Sequence, residues 1–558
     1  MDIFETVLRL TDAAIPGMLA MRQKDPAHRD YNGQISPGKG FAEPGAANSA
    51  AATFIAAYFC PNSKYHKNEA IMTAAVGSLE FLLARCHEDG TIDLMETNFH
   101  DGTCNAFCVQ TLGFTYRLLE KEADTALELK AKDLVRTFLQ TSAKAIMNGG
   151  FHTPNHRWVM ASALSLCANI LKDERCAEMA KIYLSEDVDQ NGDGDYTERS
   201  AGVYDAVCNE SLCIIAEELN MPELYGYVEH NLEMTVYYME PDFTVLTMAS
   251  RRQDYGKDVI PVRNFLPALL LYRKTGDKNA LVLANALLRQ MDALELKAVP
   301  PMKRFGSLNH QNLLARFLLS PGIAAPLPAD DGIRTRYEKA FDLAGIVRYR
   351  HEDFTLTLIR DNPALIKIQN GHLKTYIRLA ASFFGKGKLC AQSIEKIEGG
   401  YRCLYKTEKG YYRPVENLHE KNWFKIDHSM REIINVQYLS YQVDVFPSGN
   451  SVTLKLDAAG TPDIPLKVEF IFEPDGVLRT AGTTLPGTSG GYAISGERFT
   501  YERFGEKLTV DGGFNRHEYA PNMRGSDPIP QNSFCVFFTG FTPLDTELKI
   551  IAEPYTEI

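Results

Sequence analysis

The chain lacks most of the signatures that assign a protein at sight. It has no HExxH, Walker loop or Rossmann glycine fingerprint, which leaves zinc protease and nucleotide-dependent chemistry without support. It has no run of about 18 apolar residues, so no membrane span is expected. The opening MDIFETVLRLTDAAIPGML has no basic leader and no clean apolar stretch, so no signal peptide is expected. The 11 cysteines are an odd number and none forms a CxxC pair. Free thiols in a reducing, cytoplasmic setting are the expectation. Positive charge is in deficit, with 59 Lys and Arg against 71 Asp and Glu and a formal net charge of −12. That balance disfavours nucleic acid and anionic membranes as partners. An acidic ligand would have to be held locally by Arg, Asn, His and helix N-termini.

What is present divides in two. At 558 residues the chain exceeds what one hydrophobic core usually holds, so two or three domains are expected. Residues 1–320 read as successive amphipathic helices, with apolar side chains recurring at helical spacing over 69–86, 104–122, 126–147, 156–172, 198–220, 224–239, 264–276 and 279–294. Short connections alternate with long loops rich in Gly, Pro, Asn and His. That alternation suggests helical hairpins stacked around a ring, with the long loops gathered at one mouth. A Pro- and Ala-rich stretch (321–334) reads as a linker. Beyond it, 335–558 alternates with period two in TLTLIRD, LIKIQNG, SVTLKLDAAG, LKVEFIFEPDG and SFCVFFTG, the pattern of antiparallel strands. The expected fold is α+β: an N-terminal (α/α) toroid followed by an antiparallel β-sandwich.

Two clusters carry the chemistry. GGFHTPNHRWV (149–159) offers His152, Asn155, His156, Arg157 and Trp158 where a loop enters a helix. Asn155 can cap the helix or bind a carboxylate, His156 can act as a base near neutral pH, and Trp158, one of two tryptophans, can stack on a sugar. YTERSAGVYDAVCNESL (196–212) offers Glu198, Arg199 and Tyr204 in what reads as the first turns of a helix. Just before it, Asp187 to Glu198 fits the D-x-[DN]-x-[DN]-G-x5-E spacing of a calcium loop. A structural calcium at 187–198 is therefore a candidate, set against an acidic turn with Glu198 facing a sugar. His100 with Asp101, Arg251 with Arg252, and His310 are further loop candidates.

On these residues the chain resembles the heparinase II/III-like group and related toroid lyases. The order is Asn155-His156 at a helix start, Tyr204 about fifty residues on, and a later histidine, for which His310 stands first and His351 and His372 behind it. The resemblance implies β-elimination on a uronate-containing oligosaccharide: Asn155 holds the carboxylate with Arg157 or Arg199, His156 or Tyr204 takes the C5 proton, and Tyr204 protonates the leaving oxygen. No cofactor is implied. Toroids also house glycosidases, which need two carboxylates, and Glu96, Asp101, Glu198, Asp205 and Asp254 are the candidates for removal of a terminal uronic acid. A non-catalytic sugar-binding protein is the third reading. Exo-action on short oligosaccharides and assembly into a homo-oligomer are further expectations.

Overall fold

The computed structural model describes residues 2–295, 304–305, 310–416, 418–494, 498–521 and 523–553, with the side chains of 294–295, 304–305 and 310–311 left aside. The chain forms two compact units. One comprises Met1–Met239 with Phe243–Ile333, the other Glu240–Asp242 with Arg334–Ile558.

The helical unit holds α1 (Ile3–Met21), α2 (Pro44–Phe59), α3 (Glu69–Ala84), α4 (Gly102–Glu122), α5 (Ala126–Met147), α6 (Pro154–Leu171), α7 (Glu174–Leu184), α8 (Tyr204–Glu218), α9 (Tyr225–Tyr238), α10 (Phe265–Thr275), α11 (Lys278–Glu295) and α12 (His310–Leu319). Local chemistry sets their starts. Asp101 accepts from the Thr103 and Cys104 amides at the head of α4, and Thr125 with Glu128 forms a capping box on α5. Helices α2, α4, α6, α8 and α10 pack in succession, and α3, α5, α7, α9 and α11 lie against them. Helix α1 packs on both α2 and α11, so the series returns on itself as a toroid. Helix α2 is alanine-rich and buried on nearly every face, so it carries no amphipathic stripe to announce it. The stretch that reads as a linker runs along the helical unit: Arg273 donates to the Ile323 carbonyl (3.3 Å) and Asn285 to that of Pro328 (3.0 Å).

The second unit is two sheets. The nine-stranded sheet is antiparallel throughout, built on the long hairpin Gly400–Tyr412 and Ile433–Ser448. The eight-stranded sheet is antiparallel except where Gly490–Ala493 runs parallel to Phe534–Phe541. Leu356, Ile368, Val468 and Phe538 of one sheet and Cys403, Val443, Leu454 and Ile550 of the other share one buried core, the arrangement of a β-sandwich.

On the face of the eight-stranded sheet turned away from that core lies a buried ion cluster. Glu240 takes Arg348 through both carboxylate oxygens (3.0 and 3.1 Å), the Lys367 ammonium (2.6 Å) and the Thr355 hydroxyl (2.8 Å). Burial opposes ionisation of Glu240, but the Arg348 and Lys367 charges outweigh it and hold the carboxyl well below the usual range.

Candidate active site

Pro154 opens α6 and Thr153 is its N-cap residue. Pro fits the first helical position because it has no amide hydrogen to leave unsatisfied. Asn155 is thereby freed from capping. Its amide nitrogen donates to Glu198 Oε2 (2.7 Å) and to Thr153 Oγ1 (3.2 Å), and the side chain is fully buried. Arg252 completes the group, with Nη1 3.2 Å from Glu198 Oε1 at an angle that makes no hydrogen bond. Its guanidinium lies 4.5 Å over the Tyr204 ring.

Glu198 and Arg199 do not lie in a helix. The periodic reading begins α8 at 198, whereas α8 begins at Tyr204. Arg199 has a left-handed backbone (φ 54°), which breaks helical continuity. The intervening turns are fixed by two buried acids. Asp254 accepts from Ser200 Oγ (2.9 Å), Ser250 Oγ (2.5 Å) and the Gly202 amide (3.1 Å). Asp205 accepts from the Ser200 amide (3.2 Å) and Asn231 (3.3 Å). Ser200 Oγ in turn accepts from the Tyr204 amide (3.2 Å). Sequence reasoning missed Ser200 and Ser250; the signal was the serine four residues ahead of the tyrosine in ERSAGVY. Gly202 has no room for a side chain: a Cβ would stand 2.8 Å from Asp254 Oδ2 and 3.2 Å from Thr247 and Val259. Gly202→Ala is therefore expected to cost about 1–3 kcal/mol in urea unfolding and to lower turnover by displacing Tyr204. An unchanged midpoint with unchanged turnover would show that the turn does not hold the tyrosine.

His156, beside Asn155, is almost fully buried, with the His152 ring edge-on at 4.8 Å and Phe107 at 6.4 Å. Burial, with lesser repulsion from His152 and Arg252, pushes its imidazole down to about 4. Glu198 moves the other way: burial raises it above the usual carboxylate range, although Asn155 and Arg252 pull against the shift. The site thus presents a neutral imidazole beside a carboxyl whose proton affinity burial raises. Asn155 Oδ1, His156 Nδ1, Glu198 Oε1 and Arg252 Nε are buried, and none is hydrogen-bonded among the described residues. Orphaned polar atoms are rare in a folded interior, and four in one locality mark a place built to receive a polar ligand.

An NMR titration of labelled histidines, with His156→Gln assigning the resonance, is expected to place the His156 midpoint near 4, not 6.5. Because the folded value lies below the unfolded one, its contribution to stability is complete above pH 6.5 and is lost as pH falls toward 4. A midpoint at 6.5 would mean that the ring is open to water.

Other expected site residues are placed elsewhere. Trp158 is fully buried and donates its indole N–H to Asp189 (2.9 Å), so it has no face for a sugar. Arg157 lies 4.4 Å over that indole and pairs with Glu186 (3.2 Å) and Asp189 (3.1 Å); it braces the acidic loop and is not turned to a substrate. Arg199 is paired with Asp195 at 2.9 Å, a carboxyl that burial pushes up to about 6. His100 is exposed, bonded to Asp89 (2.7 Å) and stacked on His87 at 3.9 Å. His152 stays beside His156. His351 bonds Asn450 (2.9 Å) in the sheet unit, and His372 lies there too. His310 opens α12, but its side chain lies outside the described residues.

The calcium spacing is used differently. Asp189 is taken by Trp158 and Arg157, Asn191 Oδ1 accepts from the amides of Asp193 and Asp195 (both 3.0 Å), Asp195 pairs with Arg199, and Glu198 turns to Asn155. Among the described residues no three His, Cys, Asp or Glu side chains converge as metal ligands.

No family profile matches the chain, and no curated protein does. Solved structures do. A xanthan lyase from Paenibacillus superposes with a TM-score of 0.57 at 10% identity, over 100% of this chain and 57% of that one. A mutant heparan sulfate lyase from Pedobacter heparinus gives 0.54 at 10% identity, over 98% and 84%. The chondroitin AC lyase of Streptomyces coelicolor A3, in complex with chondroitin sulphate, gives 0.52 at 11% identity, over 98% and 79%. The chain thus spans little more than half the length of the xanthan lyase. At these identities the likeness is one of fold: this chain has the fold of the toroid polysaccharide lyases, a helical toroid followed by antiparallel sheets.

Proposed function

We propose that the protein is a lyase that cleaves uronate-containing oligosaccharides by β-elimination, acting from a chain end on short substrates in the cytoplasm. The observation that carries this reading is the convergence of Asn155, Glu198, Arg252 and Tyr204, with His156 beside them. The C5 proton of a uronate is weakly acidic until the carboxylate charge is neutralised. Arg252 offers positive charge and an Nε–H that is unbonded among the described residues, and Asn155, whose amide nitrogen donates to Glu198 and Thr153, fixes the Glu198 carboxyl beside it. Donors fixed in advance stabilise the enolate-like charge as it develops. Tyr204 or neutral His156 takes the C5 proton, and the electron pair becomes the C4–C5 double bond. The C4–oxygen bond breaks, and the oxygen leaves with a proton from Tyr204. No cofactor is invoked.

The raised Glu198 carboxyl also suits the general acid of a uronide hydrolase, which needs a second carboxylate facing the bond. The candidates for that partner are engaged. Asp205 and Asp254 are buried in the turn, Asp101 caps α4, and Glu96 pairs with Lys39 at 2.8 Å. The test is ultraviolet absorbance of the conjugated unsaturated uronate over a panel of uronate oligosaccharides. A rise supports elimination; free saturated uronic acid with flat absorbance sinks it.

A further inference from the structure

The sheet unit carries a second cluster that the proposed reaction does not use. After the strand Leu373–Ala381 the chain makes a turn in which the Lys386 amide donates to the Phe383 carbonyl (2.8 Å). The turn is locked in place, since any side chain at Gly387 would strike the backbone of Gly525 and Ser526. Within it Phe384 has a left-handed backbone (φ 48°), a conformation that costs a bulky residue energy and is concentrated at ligand-holding sites. Yet Phe384 is 40% exposed, its ring meeting that of Phe383 with centroids 5.0 Å apart, so burial offsets only part of that cost. It tilts against Tyr411, itself 60% exposed, with ring centroids 5.3 Å apart.

Two lysines neighbour the rings along the chain: Lys386 lies two residues beyond Phe384, and Lys409 two before Tyr411, where Gly410 alone stands opposite Asn435 and Val436 in the hairpin. Neither lysine has a carboxylate partner among the described residues. The Lys386 ammonium is pushed down from the ordinary lysine range, by desolvation first and then by the Lys409 charge. A pair of uncompensated like charges is out of keeping with a chain of net charge −12.

We propose that Phe384, Tyr411, Lys386 and Lys409 form an auxiliary binding site for an anionic glycan, the rings stacking on a pyranose face and the lysines meeting a uronate carboxylate or sulfate ester. Aromatic faces take apolar sugar faces, and ammonium groups take anions as point charges. The proposal does not depend on the elimination reading, because its readout is binding.

The experiment is calorimetric titration of the full chain with heparin (sulfated), hyaluronan (unsulfated) and neutral dextran. It is run on the wild type and on Arg252→Ala, which weakens anion binding in the toroid. In the Arg252→Ala background an anionic glycan is expected to bind and dextran not. Adding Lys386→Ser with Lys409→Ser is expected to weaken that binding about tenfold or more, the scale of hydrogen bonds to charged groups, as is adding Tyr411→Ala. The double Lys→Arg variant should retain it, and Lys455→Ser, elsewhere on the sheet, should change nothing. Preference between heparin and hyaluronan identifies sulfate or carboxylate as the anion met. Phe384→Gly should weaken binding while leaving the melting temperature equal or higher, since it removes the ring and relieves the backbone. Absence of binding in the Arg252→Ala background, equal loss with Lys455→Ser, or loss confined to a concentration-dependent dimer would overturn the proposal.

Discussion

Replacing Tyr204 by Phe is expected to lower kcat about a thousandfold, within the range that a positioned acid or base contributes, with little change in KM or melting temperature. The structure gives the reason for that separation. The Tyr204 ring lies beneath Arg252, and Phe keeps that contact. The amide that Ser200 holds is a backbone group, so the turn does not depend on the hydroxyl. Only the proton-carrying oxygen is removed. Asn155→Ala should behave differently: it leaves the Glu198 carboxyl without its 2.7 Å donor, so both KM and thermal stability should suffer. Retention of more than a tenth of the wild-type kcat in Tyr204→Phe, read by absorbance under saturating substrate, would remove the tyrosine from the reaction.

The second large effect is on stability. Glu240→Ala is expected to cost about 3–5 kcal/mol, because deleting one partner of a buried pair strands the other charges. Here two cations are stranded, since Arg348 and Lys367 both turn to Glu240 and neither it nor Arg348 has solvent exposure. Because the folded carboxyl lies below its unfolded value, the contribution is complete above about pH 4.5 and is lost as pH falls through the folded value. Urea unfolding at neutral pH followed by intrinsic fluorescence measures it. A loss under about 1 kcal/mol, the scale of an exposed pair, would show that water reaches the cluster.

The sequence announces some of this and hides the rest for identifiable reasons. Helices with one apolar stripe, such as α5 and α11, and strands with clean alternation, such as Ser451–Gly460, are visible because burial on one side imposes a period. Helix α2 is not, because burial on all sides erases the period. The start of α8 is misread because SAGVYDAV keeps a helical pattern of small and apolar residues, while what breaks the helix is the left-handed turn at Arg199 and the Ser200–Asp254 contact across 54 residues. The acidic run at 187–198 has calcium spacing, but spacing does not say where carboxylates point; Trp158, Arg157, Arg199 and Asn155 claim them from other segments. Trp158 shows the same limit, since scarcity in the composition carries no information about burial. The proximity of Asn155, Glu198 and Arg252 comes only from folding, and Glu240 sits in a stretch, MEPDF, that gives no sign of partners more than a hundred residues away.

The central claim is elimination, and the most direct measurement is cleavage of a uronate oligosaccharide in heavy-oxygen water with mass analysis of both products. Elimination breaks the C4–oxygen bond without adding solvent oxygen. The expected result is therefore an unsaturated product, one water lighter than its saturated counterpart, and no heavy oxygen in either fragment at early times. Heavy oxygen incorporated at the cleaved bond, with a saturated uronic acid released, would contradict it and assign the raised Glu198 carboxyl to hydrolysis.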